Sequence, residues 1–166
     1  MKIITILSSA TFCLAVLVPG VVSAFEVTDT SAYQLTETTS LFTITYEFGY
    51  LNGVAQLPIL PTYGSTIHTN QTHLSYELSD QSGEVLPANY NTVGVVLSGA
   101  NINNNYYQIE AGDRQTFTLL VIHNQTGETP DTLSVTSFGH RAEVNEEVKY
   151  LEVSDEQLLD YQVTLN

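Results

Sequence analysis

The chain has 166 residues, with 4 Lys or Arg against 18 Asp or Glu, and a formal net charge of −14 at pH 7. That balance excludes nucleic acid, which needs cationic contacts to phosphates, and anionic membrane surfaces. It fits high solubility more directly than any attraction for cations or basic partners.

The first segment, "MKIITILSSATFCLAVLVPGVVSA", reads as a secretory signal peptide over residues 1–24. Lys2 supplies the positive end, Ile3 to Val18 is mostly apolar, and Val22-Ser23-Ala24 suits cleavage after Ala24. The apolar run is shorter than the ~20 residues a membrane span needs, and Pro19-Gly20 breaks it. Cys13 lies inside that run without a lipobox, so lipid anchoring is rejected. Cleavage removes the single cysteine, which leaves no disulfide and no thiol chemistry. Residues 25–166 then form one domain with a core of its own. No membrane span follows, so the expected destination is secretion, extracellular or periplasmic. The style of the leader is bacterial.

Phe25 to Thr30 reads as a loose leader. Beyond it, alternation of period two recurs. Phe42, Ile44, Tyr46, Phe48 and Tyr50 share one face of the first strand. Leu74, Tyr76 and Leu78 share a face of the next, after the loop "IHTNQTH". The turn "SDQSGE" follows. Val93, Val95 and Leu97 are placed on the core side of "TVGVVLSG". Tyr106 and Tyr107 face opposite sides, and Tyr107 pairs with Ile109. "EAGDR" turns the chain into a strand with Phe117, Leu119 and Val121 inward and Leu120 and Ile122 outward. A strand apolar on both sides is central or covered. "NQTGETPD" is a loop, and Leu133 and Val135 follow. "SDEQLL" admits one helical turn capped by Ser154. Leu159, Tyr161, Val163 and Leu165 close the pattern.

Eight to ten short strands without a helix indicate an all-β fold, an antiparallel β-sandwich rather than a barrel. The expected core is Phe42, Ile44, Phe48, Tyr76, Leu78, Val95, Leu97, Phe117, Leu119, Val121 and Val163. The pattern "YQIEAG" followed by "TFTLLV", with the hairpin "YELSDQSGEVLP", resembles immunoglobulin-like domains of secreted bacterial proteins. That resemblance implies a Greek-key sandwich and an adhesive or structural use, and it carries no catalytic residues. The chain departs from antibody-type domains in lacking both core cysteines and tryptophan.

Signals for chemistry are sparse. No G-x-S-x-G elbow exists, and the four histidines lie in or beside predicted turns and strand ends. Glu47 and Glu77 read as solvated outer-face residues rather than a glycosidase pair. Seven acids between Glu143 and Asp160 form an acidic edge without the spacing of a calcium loop. The candidate metal ligands are His68 and His73, which flank Thr69–Thr72. Across a hairpin their imidazoles would lie ~5 Å apart and would hold zinc or copper only with a further ligand. Asn70-Gln71-Thr72 and Asn124-Gln125-Thr126 match a glycosylation sequon but read as turn residues. No other cofactor is indicated. The expected function is an exported, non-catalytic binding, adhesive or structural protein with a protein or glycan partner. A carbohydrate-binding module using exposed tyrosines is the alternative, and a secreted hydrolase ranks third.

Overall fold

The computed structural model describes residues 23–50, 52–64, 70–87, 91–124, 130–144, 146–153 and 162–165. Twelve strands and no helix occur among the described residues: β1 (Ser23–Thr36), β2 (Thr39–Tyr50), β3 (Ala55–Pro58), β4 (Thr62–Tyr63), β5 (His73–Ser79), β6 (Thr92–Ser98), β7 (Asn101–Asn103), β8 (Tyr106–Ile109), β9 (Arg114–Asn124), β10 (Thr132–Val144), β11 (Glu147–Glu152) and β12 (Gln162–Thr164). The expected eight to ten strands were too few. Short strands such as β4 and β7 give no visible alternation. His68, the Ser154 turn and Leu159 lie outside the described residues.

One sheet has the order β1-β2-β9-β6, antiparallel throughout. The other is organised around β10. On one edge of β10, β5 pairs with Thr132–Gly139 and β3 then pairs with Arg141 and Ala142. On the other edge, β12 pairs with Thr132–Ser134 and β11 with Gly139–Val144. β8 and β7 extend the sheet beyond β3. β4 lies parallel to β5, the one parallel pair among the described strands.

The sheets pack face to face. Alternation on β2 and β9 turns Phe42, Ile44, Tyr46, Phe48, Phe117, Leu119 and Val121 fully inward. From the opposite sheet come Leu57, Leu74, Tyr76, Leu78, Tyr107, Leu133 and Phe138. Rings meet across the gap: Tyr46 and Phe138 have centroids 5.9 Å apart, and Phe117 and Tyr107 5.5 Å. Edge and offset contacts at these distances add to the gain from burial.

Two expectations are corrected. Phe25 to Thr30 is not a loose leader; it lies within β1, and the Phe25 ring stacks on Tyr46 at 5.0 Å and meets Phe138 edge-on at 5.5 Å. A register shift between Val27 and Asp29 breaks the alternation there, which hides the strand in the sequence. The second correction is the register of β6. Val96 is the buried residue, while Val95 is half-buried and Leu97 is 48% exposed. Gly94 and Val96 point inward because the ring of Tyr76 occupies the space a side chain at 94 would need.

Candidate binding groove

On β10, Phe138, His140 and Ala142 face the core, so Arg141 and Glu143 face outward. The register carries this face across the neighbouring strands. Arg141 lies opposite Gln56 of β3, Gln56 opposite Gln108 of β8, and Gln108 opposite Asn101 of β7. On the other side of β10, Arg141 lies opposite Tyr150 of β11. One row therefore runs Tyr150, Arg141, Gln56, Gln108, Asn101 across five strands. Directly opposed residues share a face.

Two turns and a loop raise this row into a groove. Asn104 and Asn105 both adopt positive φ, 49° and 66°, in the tight turn between β7 and β8. Asparagine tolerates that conformation best after glycine. Glu146, at φ 68°, belongs to the turn between β10 and β11. The third wall is Asn52–Val54, bound to β10 by a hydrogen bond from the Glu143 amide to the Val54 carbonyl at 2.9 Å. Gly53 is required there, since a Cβ would lie 1.7 Å from the Glu143 carbonyl oxygen. The groove encloses about 460 Å³ between this wall, Gln56, Gln108, Asn103, Arg141, Glu143 and Glu146.

Four of the lining side chains, Asn103, Gln108, Arg141 and Glu143, are oriented by polar neighbours. Asn103 Nδ2 donates to Gln108 Oε1 at 2.8 Å, and Gln108 Nε2 donates to Glu110 Oε1 at 2.7 Å. Arg141 lies 3.5 Å from Glu143. Each amide can donate and accept at once, the guanidinium only donates, and the carboxylates only accept. Tyr150, at the end of the row, and Tyr106, beside it, are exposed; Tyr106 lies opposite Asn103 and Pro58. The sequence shows these groups only as scattered polar strand residues, because their adjacency comes from pairing between distant strands. The run "ANINNNYYQIE" was the available hairpin signal.

The residues singled out for metal and acid–base chemistry are placed elsewhere. His73 is buried against Gly139, with Nδ1 2.9 Å from the Gln71 carbonyl oxygen. Its expected partner His68 lies outside the described residues. Among the described residues no three His, Cys, Asp or Glu side chains converge as metal ligands. His123 is buried at the end of β9, 2.8 Å from Thr92 Oγ1, and burial lowers its pKa. His140 is in the core within 4.8 Å of the Phe48 ring, both ring nitrogens lack a hydrogen-bond partner among the described residues, and burial brings its pKa down to about 4. Glu47 faces outward, held by Arg114 Nε at 2.8 Å. Asn70 and Asn124 are exposed.

The outer face of the four-stranded sheet has a different character. Tyr33, Leu41, Ile122 and Val93 form one cross-strand row, and Leu120 and Val95 lie in the next. Toward the other end this face becomes acidic at Glu26 and Glu47, both bound by Arg114.

Fold and groove together define an all-β protein of two packed sheets with an amide-lined groove on one outer face. Compared with known proteins, the chain matches no family model and no curated sequence. No helix among the described residues is long and apolar enough to cross a membrane.

Proposed function

We propose that this is an exported, non-catalytic binding protein, an immunoglobulin-like sandwich with Greek-key connections, used in adhesion or assembly outside the cell. The observation supporting the reading is the groove over β10, β3 and β8. Its groups are amides, one guanidinium and carboxylates, with Asn103, Gln108, Arg141 and Glu143 already engaged with neighbours. Such groups hold a ligand by hydrogen bonds, whereas nucleophilic catalysis needs a base beside a nucleophile. His123 and His140, which could serve as bases, are enclosed within the sandwich away from the groove face.

The leader supports export, with Phe25 as the first residue after cleavage. A carbohydrate-binding module is the second reading, favoured by the exposed Tyr150 and Tyr106 beside the groove. The experiment is fractionation of the native source, followed by N-terminal sequencing and turnover assays on ester, peptide and glycoside substrates. Recovery outside the cell with Phe25 first and no turnover is the expected result. Retention of Lys2, or turnover lost on a groove substitution, would overturn it.

A further inference from the structure

We infer that the groove binds a neutral oligosaccharide, with Gln56, Gln108 and Arg141 bonding to hydroxyls and Tyr150 stacking on a sugar ring. The inference rests on the binding reading above and names its ligand. A sugar hydroxyl donates and accepts together, and so does each amide of the row. Asn103 and Glu110 fix the Gln108 amide from both sides, so little rotamer freedom remains to be lost on binding. Tyr150 lies directly opposite Arg141, where its exposed ring continues the polar floor. A sugar ring presents just such a pair of surfaces, a hydroxylated edge and an apolar C–H face.

Length and charge narrow the class. Tyr150 on β11 and Gln108 on β8 are three strand spacings apart, about 14 Å. That span suits several linked rings rather than one. The cation of the row, Arg141, is already compensated by Glu143, and Glu110 and Glu146 stand beside the same row. With a net charge of −14 on the chain, a uronic or sulfated glycan meets repulsion at the groove and at long range.

The test is titration of the isotope-labelled exported protein, followed through its amide resonances, with cellohexaose, mannohexaose, xylohexaose and chitohexaose. Hexagalacturonate serves as the anionic probe. We expect at least one neutral hexaose to shift the side-chain amides of Gln56, Gln108 and Asn103 saturably, and hexagalacturonate not to. Gln108→Ala and Tyr150→Ala should each weaken binding tenfold or more. Tyr33→Ala, on the opposite face, should not change it. Backbone spectra show whether each variant is folded, and Gln56→Ala replaces any that is not. Groove amides unmoved by all four neutral probes, tighter binding of hexagalacturonate, or undiminished binding by folded Gln108→Ala and Tyr150→Ala would overturn the inference. Those results leave a protein ligand, and so the broader binding reading, intact. Release of shorter saccharides during titration would overturn the non-catalytic reading instead.

Discussion

Gly94 of one sheet lies directly beneath the ring of Tyr76 from the other. A Cβ built at Gly94 would fall 2.7 Å from the Cε1, Cζ and Oη atoms of that ring. The tyrosine thus fills the space of two side chains, and this contact determines which face of β6 meets the core. Burial raises the Tyr76 pKa to about 12, so the phenol stays neutral at physiological pH. Gly94→Ala should destabilise the protein by about 1–3 kcal/mol through overpacking. The loss should shrink when Gly94→Ala is made in a Tyr76→Leu background, because the two changes share one space. Urea denaturation of the four variants measures this; strictly additive losses would show that Gly94 matters for another reason.

Phe117 is fully buried between Tyr46 and Tyr107, with both ring centroids 5.5 Å away. Phe117→Ala should cost about 3–5 kcal/mol, a large share of the stability of one domain. Phe25→Ala should cost less, since Phe25 is only partly buried at the start of an edge strand. Thermal melts of both variants check the ranking. Equal losses would mean that β1 is as integral to the core as β9.

His140 predicts an acid sensitivity. Its folded pKa, about 4, lies below the ordinary 6.5 because the ring is buried. Between those values the unfolded chain binds a proton that the folded chain does not. Stability must therefore fall as pH drops from about 6.5 to 4, by about 3 kcal/mol in full. His123, also lowered by burial, acts in the same direction. Stability curves from pH 7 to 5 should slope downward for wild type and more weakly for His140→Phe. The ordinary carboxylates have yet to titrate over most of that range. An unchanged slope in His140→Phe would assign the effect to another group.

Salt should stabilise the protein. The basic residues after Ala24 are all engaged: Arg114 with Glu26 and Glu47, Arg141 with Glu143, and Lys149 with Glu147. These pairs are substantially exposed and worth little each, whereas the excess of acids repels itself in the compact state. Screening beyond ~10 Å at 0.1 M salt relieves that repulsion. The Tm should rise with sodium chloride and stay constant with EDTA. A fall with salt would show the ion pairs to be dominant, and a fall with EDTA would point to a bound cation.

Much of the fold was legible because β2 and β9 alternate without interruption, and their inward residues are those the pattern selects. β6 was not legible in the same way. Val93, Val95, Val96 and Leu97 are apolar on both faces, so alternation cannot choose between them. The choice is made by Tyr76 from another sheet, a contact no local pattern contains. The groove was hidden for a related reason. Gln56, Arg141 and Gln108 each look like the solvated side of an ordinary strand, and only the pairing of β3 with β10 and β8 brings them into one row. The exposed Tyr106 beside the buried Tyr107 could be read in advance, since adjacent strand residues face opposite ways. His140 was placed near a strand end, yet β10 continues past it to Val144.

Strand β10 is held on both edges at Thr132–Ser134, by β5 and β12, at Gly139, by β5 and β11, and at Arg141 and Ala142, by β3 and β11. Freeing it breaks the ladders of four strands together, and at Arg141 and Ala142 no opening of one neighbour suffices. The amides of Arg141 and Ala142 should thus exchange with solvent deuterium only through global unfolding, while those of the flanking β7 and β4 exchange through local fraying. The floor of the groove would then belong to the slowest-opening part of the molecule. A ligand seated on Arg141 would meet a surface already rigid before it arrives.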